Sequence, residues 1–525
     1  MTTGREKSDG REVPEGRRKA VPTAPRGRGG KATTASEQVG QLELFRGTAD
    51  SPKGASDSEA ASLLVAPHSP VPKPRTTTGP APPAMTMEEV ANEANLMEAF
   101  ERVASNKGAP GPDRQSIAEV REHLDELLPV LRSKLLSSSY RPGMIRRVWI
   151  PKPGGGQRGL GIPNVADRLV AQAVHQVLSP HFEPTFHGSS HGFRPGRSCH
   201  TAIAEAKQHL RAGYRWLVDL DLEKFFDRVH QQRLLAKLEQ RVDDRRLIQL
   251  VRRMLKAKVV MPDGVVVSTD EGVPQGGPLS PLLSNIVLDE LDRELERRNH
   301  RFVRYADDCN IYVRSERAGQ RVMSSIRRFI ERRLRLKVNA DKSAVARPEE
   351  RHFVGFRLRW DPEEEDVEVL LSARSRDRAA KRIRELTPRN WGQSLADCIA
   401  GINAYLLGWI EFFGVCTAAE LQTLHSFDAH IRRRLRAILL KRWGSRSRRF
   451  IIRHLVRLGI RRDTARRSLY SGHRSWWKLS HMPAADWALR RGYFADRGLV
   501  SVEQRWLDRQ AERDIAPVQL RLGLG

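Results

Sequence analysis

The segment "RFVRYADDCNIYV", residues 301–313, constrains the fold more than any other: two short apolar runs flank a pair of adjacent acids. Runs of this kind around a polar break read as a β-hairpin, with Asp307 and Asp308 at its tip. A second stretch, "WLVDLDLEKFFDRV", has the strand period, which sends Val218, Leu220 and Leu222 to one face and Leu217, Asp219, Asp221 and Glu223 to the other. A row of acids beside an apolar face is costly unless each carboxylate finds a partner. Mg²⁺ suits them, because it prefers oxygen ligands and is commonly held by one or two carboxylates plus substrate phosphates. A strand acid and a hairpin-tip acid can share two such ions, and ions roughly 3.5–4 Å apart can serve both the attacking and the leaving oxygen at phosphorus. Taken alone, Asp307 and Asp308 equally suit an ordinary turn.

Charge supplies the setting. The 525-residue chain has a formal net charge of +28, of which +18 falls on residues 372–525. Such a surplus attracts a polyanion, and nucleic acid is the expected partner. No run of apolar residues reaches the length of a membrane span, and the N-terminus lacks the apolar core of a secretory signal, so a cytoplasmic location is expected. Cys199, Cys309, Cys398 and Cys416 form no CxxC pair and are expected to be buried thiols.

Residues 1–85 hold 11 prolines, no Trp or Tyr and a single Phe, too little apolar material to offset the entropy of ordering. A disordered tail is expected there. Between 86 and 371 helical and strand periods mix: "NLMEAFERVASNKG" and "VREHLDELLPVLRSKLL" read as helices, "IRRVWIPKP", "RWLVDLDLEKFF" and "VRYADDCNIYV" as strands. An α+β domain follows from that mixture. Beyond 372 the pattern is helical; "LADCIAGINAYLLGWIEFFG" repeats apolar residues every three or four positions and ends at Gly414. "LHSFDAHIRRRLRAILLKRW" sets an apolar face against Arg432, Arg433, Arg434, Arg436, Lys441 and Arg442, the expected RNA-binding face. Trp476 and Trp477 would serve base stacking or core packing equally.

The ordered set "IPKPGGGQRGLGIPNVADR", "SSHGFRPGRSCHTAI", "LVDLDLEKFFDRV", "EGVPQGGPLSPLLSNIVLDELD", "RYADD", "LRLKVNADKS" and "FVGFRL" resembles the successive blocks of a reverse transcriptase. It is most similar to the bacterial group II intron-encoded reverse transcriptase/maturase. The downstream "INAYLLGWIEFFG" through "HIRRRLRAILLKRW" resembles the thumb and maturase-specific domain of those enzymes.

The resemblance implies a right-hand polymerase: fingers and palm over 86–371, thumb helices over 372–415 and a basic maturase-specific RNA-binding domain over 416–525. It implies RNA-directed DNA synthesis on intron RNA from a DNA or RNA primer with dNTPs, two Mg²⁺ ions, and assistance to intron splicing. Asp221, Asp307 and Asp308 would be the catalytic set, with Asp221, Asp307 and the Leu222 carbonyl holding metal. Asp219 competes with Asp221 for that role; the family aspartate lies five residues before the aromatic that abuts the incoming sugar, here Phe226. Lys152 and Arg158 flank "PGGGQ", a turn flexible enough to fold two cations over a triphosphate. In "VPQGGPLSPLL", Gln275 and Gly276 belong to the nucleotide site, where a missing side chain lets backbone approach closely. Lys342 suits proton donation or phosphate contact, and an ordinary surface lysine equally.

Overall fold

In the computed structural model the described residues are 84–522, except 152–155, 390, 391, 393, 473 and 474, with side chains described to Arg513. The expected tail at 1–85 therefore lies almost wholly outside them, and so does Lys152.

Four strands make the central sheet, in the order β6-β7-β3-β8: β3 (Trp216–Leu220), β6 (Arg301–Tyr305), β7 (Asp308–Val313) and β8 (Ala344–Ala346). Both faces of this sheet are covered. Val218, Leu220, Phe302, Ile311 and Val313 enter one apolar core with helices Val165–Phe182, Gln231–Glu239, Arg245–Leu255 and Ser280–Arg297. Leu217, Val303 and Tyr312 enter a second core with helix Cys199–Arg211 and the C-terminal helices. The alternation expected for 217–222 is thus real, yet the strand reads as a near-continuous apolar run because neither face meets water.

A second sheet has the order β2-β1-β4-β5. Its strands β1 (Ile145–Pro151) and β2 (Gln157–Ile162) pair antiparallel, with β4 (Val259–Val260) and β5 (Val266–Val267) alongside. The hairpin of β9 (Phe356–Asp361) and β10 (Asp366–Leu371) leads into helices Ala373–Leu386 and Leu395–Phe413. One expected helix is split. "VREHLDELLPVLRSKLL" forms Ile117–Glu122 and Leu124–Leu136, parted at His123, whose φ of −114° leaves the helical range.

Helix Leu395–Phe413 corrects one expectation: by length and composition alone it could cross a membrane. Its Cys398, Ile399, Ile402, Leu406, Trp409 and Ile410 are instead buried in the second core. It stops at Gly414 as expected, and a glycine is required there by close packing rather than by backbone conformation. Gly414 has φ −66°, not a left-handed value, and a Cβ there would stand 2.6 Å from the Ile410 carbonyl oxygen. All four cysteines are free and buried.

Candidate active site

Strand β3 ends at Leu220, which pairs with Cys309 of β7. The same register carried one residue further sets Asp221 against Asp308. Between Tyr305 and Asp308, the closing pair of β6 and β7, only Ala306 and Asp307 make the turn. The acids read from two distant segments therefore meet at one end of one sheet.

Asp219 and Asp221 are sorted by their partners. The Arg351 guanidinium lies 2.6 Å from Asp219 Oδ2 through Nη2, and its Nε donates to the same oxygen at 2.7 Å. Burial pushes the Asp219 carboxyl up, and Arg351 opposes that shift. Asp221 is held by its backbone: its N–H donates to Ser343 Oγ at 3.0 Å and its carbonyl accepts the Asn339 N–H at 2.8 Å. Its carboxylate is ion-paired with the tip of Lys342, with Nζ 3.5 Å from Oδ2. Glu223 N–H donates to the Lys337 carbonyl, so residues 221 and 223 both bond toward the 337–339 segment. Peptide groups alternate along a strand, which aims the Leu222 carbonyl the other way, toward the β7 side.

Burial and the nearby Asp221 charge push the Asp307 carboxyl up, against its own backbone hydrogen bond and the cations Arg158 and Arg304. Asp308 is surface-accessible as a residue, yet its carboxyl is hemmed in by protein. That crowding, with the charges of Asp307, Asp219 and Asp221, pushes it up to about 7 despite Lys342. Like charges gathered at one point raise one another's carboxyls even with Arg351, Arg158 and Lys342 nearby, and have spare capacity for a cation. Among the described residues no group of three or more His, Cys, Asp or Glu is arranged to hold a metal. Two carboxylates and a carbonyl still fit Mg²⁺, whose remaining positions are filled by water and phosphate.

Two of the candidate nucleotide residues, Lys342 and Arg158, lie close enough to the acids for their charges to be felt there. Arg158 on β2 pairs with Ile150, is exposed, and its charge reaches Asp307. Phe225 is buried in the core, while Phe226 is half-buried, edge-on to it at 5.3 Å. The Phe226 carbonyl accepts the Val273 N–H at 2.7 Å, and the Gln275 carbonyl accepts the Gly161 N–H at 2.8 Å, so the "VPQGG" loop is tied to both the helix after β3 and the β1–β2 pair. Gly276, at φ +112°, lies where a Cβ would come 2.7 Å from Leu160. Its glycine is needed to close the loop on β2.

The basic helix is less exposed than its charge pattern suggests. In Leu421–Gly444 only Arg442 of the six expected RNA contacts is exposed. Arg436 is buried, donates to the Leu489 carbonyl at 2.9 Å and pairs with Asp486. Arg434 donates to Thr387 Oγ1 and to the carbonyls of Thr387 and Arg384. Arg433 covers the Trp477 ring at 4.0 Å. Arg432 and Lys441 are half-buried. This helix packs against several neighbouring helices, so Arg433, Arg434 and Arg436 spend part or all of their polar groups on those neighbours. Trp476 packs where a Cβ on Gly444 would come within 2.2 Å, which assigns it to packing.

Sequence reasoning missed Arg351, Ser343, Arg304 and Asp292. Nothing in the pattern around Arg351 distinguishes it from its many basic neighbours.

The sheets and the convergent acids are those of a nucleotidyl-transferring palm, and residues 150–358 match the family "Reverse transcriptase (RNA-dependent DNA polymerase)". The fold and site therefore define a reverse transcriptase. Residues 376–456 match "Group II intron, maturase-specific domain". The chain is 34% identical over 304 residues to Protein YkfC of Escherichia coli, covering 50% of this chain and 80% of that one. To the group II intron-encoded protein LtrA of Lactococcus lactis it is 28% identical over 328 residues, 50% of this chain and 54% of that one. The chain belongs to the group II intron-encoded reverse transcriptase/maturase family.

Proposed function

We propose that this protein copies group II intron RNA into DNA and binds that RNA to assist its splicing. The reaction is displacement at the α-phosphate of a dNTP by a primer 3′-hydroxyl, with pyrophosphate leaving. Support for the site comes chiefly from one observation: Arg351 occupies Asp219, while Asp221 keeps its carboxylate at the strand end beside the Asp307–Asp308 tip.

Asp221, Asp307 and the Leu222 carbonyl would hold two Mg²⁺ ions, which when bound neutralise charge on the attacking and leaving oxygens. Asp308 completes the acidic wall. Arg158 and Lys152, which flank "PGGGQ", would contact the triphosphate as cations. The half-buried face of Phe226 would lie against the sugar and crowd a ribose 2′-hydroxyl, favouring dNTPs. Gln275 and Gly276 would line the base and template side. Lys342 would contact the pyrophosphate or hold a proton for it, since its Nζ already reaches the Asp221 carboxylate. Residues 372–415 would act as the thumb and 416–525 as the RNA-binding domain, with the exposed Arg442 the leading contact of its helix.

The test is primer extension on a generic RNA template with Mg²⁺ and either dNTPs or rNTPs, together with binding and splicing of a group II intron RNA. DNA synthesis preferring dNTPs is expected. Equal use of rNTPs would sink the role given to Phe226. Tight intron binding with no synthesis by folded protein would make the chain a splicing cofactor alone.

A further inference from the structure

The turn that carries Asp307 is held from behind by a buried charge. Arg304 is fully buried at the end of β6, and all five of its side-chain N–H groups are used. Nε and Nη2 donate to Asp292 at 2.7 and 2.5 Å, a bidentate pair with a carboxylate that is itself fully buried. Nη2 also donates to Ser190 Oγ at 2.7 Å, and Nη1 to Asn285 Oδ1 at 3.1 Å. The remaining bond runs from Nη1 to the carbonyl oxygen of Ala306 at 2.8 Å. Asp292 and Asn285, two turns apart on helix Ser280–Arg297, present one face to it.

Ala306 needs such support. Its φ is +56°, a left-handed value that residues with a Cβ adopt at a cost. A second contact comes from the 189–192 loop. Gly192 approaches so closely that a Cβ there would stand 2.2 Å from the Ala306 nitrogen, and the Gly192 carbonyl accepts from Asn285 Nδ2 at 3.0 Å. One arginine therefore joins the hairpin turn, the long helix and the 189–192 loop, whose backbone also bonds β6: Arg304 N–H donates to the Ser189 carbonyl, and the Arg304 carbonyl accepts the His191 N–H, both at 2.8 Å.

Net stability is a poor reason for this arrangement, because an apolar pair of similar volume commonly does as well as a buried ion pair. Geometry is the better one. A turn of two residues has little slack, so fixing the Ala306 carbonyl fixes where the next residue's carboxylate points. We infer that Arg304, seated by Asp292 and Asn285, is a positioning residue that sets the Asp307 carboxylate beside Asp221 by locking the Ala306 turn. It touches no substrate. The inference rests on the polymerase reading for its purpose, and on the turn geometry alone for its effect.

Two variants test it. Arg304→Met with Asp292→Leu replaces the ion pair by apolar contact, and Arg304→Lys keeps a charge for Asp292 but cannot reach all the partners. Folding is followed by thermal melting, turn order by amide hydrogen exchange at 305–309, cation affinity by Mn²⁺ binding, and activity by primer extension. Variants that melt close to the wild type should show faster exchange in the turn and a drop of about ten- to a hundredfold in Mn²⁺ affinity and in turnover, with template KM unchanged. Should the double variant fail to fold, the same losses are required of Arg304→Lys. A folded variant with wild-type exchange, Mn²⁺ affinity and turnover overturns the inference. If the wild type makes no DNA while the variants still lose Mn²⁺ affinity and turn order, the polymerase reading fails and the positioning role stands.

Discussion

The hairpin of β6 and β7 and the helix Leu421–Gly444 both bury arginine, and they use it differently. In the hairpin Arg304 meets a fully buried carboxylate in a bidentate pair and the geometry of one turn depends on it. In the helix, Arg434 and Arg436 donate mostly to backbone carbonyls of neighbouring segments, and the single carboxylate involved, Asp486, is partly exposed. The first arrangement fixes atoms beside a reaction centre. The second fastens helices together, so that density of positive charge along a helix does not by itself mark the surface that meets RNA.

The sharpest way to break this comparison is at the hairpin tip. Asp307→Ala should cut RNA-templated DNA synthesis on the order of a thousandfold or more while leaving RNA affinity in a filter-binding assay unchanged. Loss of both together would mean that the tip is structural.

A smaller effect concerns Glu205, which lies behind the same hairpin. Burial pushes its carboxyl up, but hydrogen bonds from His191, His209 and Ser189 outweigh this and hold it at about 2, below the ordinary 4.5. A depressed carboxyl stabilises the fold above its unfolded pKa, and that contribution is lost as pH falls from about 4.5 through about 2. It is worth about 3 kcal/mol at neutral pH. Denaturant unfolding of wild type and Glu205→Gln should therefore differ at pH 7 and converge only as the pH falls to about 2; a gap independent of pH would contradict the assignment.

In the C-terminal helix, Arg436→Ala should destabilise by about 2–3 kcal/mol, because Leu489 loses its donor and Asp486 its partner. RNA affinity of the folded protein should not change. Arg442→Glu should do the reverse, leaving the melting temperature alone and reducing the dependence of log affinity on log salt by about one unit. Were Arg436 to weaken RNA binding more than Arg442, the helix would have to be reinterpreted as an RNA-facing element.

The difference between these regions also explains what the sequence made legible. Asp221, Asp307 and Asp308 stood out because metal-dependent phosphoryl transfer admits few residue types, and because the period of two put one acid on a known face of its strand. Arg158 and Lys342 were recognisable by their place among the blocks. Arg351 and Arg304 were not, since each is defined by a partner 132 or 12 residues away, which no local period encodes. The basic side of Leu421–Gly444 looked fully solvated for the same reason: amphipathicity assumes water on the polar side, and here Arg434 and Arg436 meet neighbouring segments instead. The split at His123 was hidden because both halves keep apolar residues in helical step.

The choice between Asp219 and Asp221 tests the account most directly. Mg²⁺-dependent primer extension on an RNA template should be abolished in Asp221→Asn and should persist, reduced, in Asp219→Asn, whose side chain can still accept a hydrogen bond from Arg351. Extension by Asp221→Asn, or complete loss in Asp219→Asn with Asp221 dispensable, would contradict it.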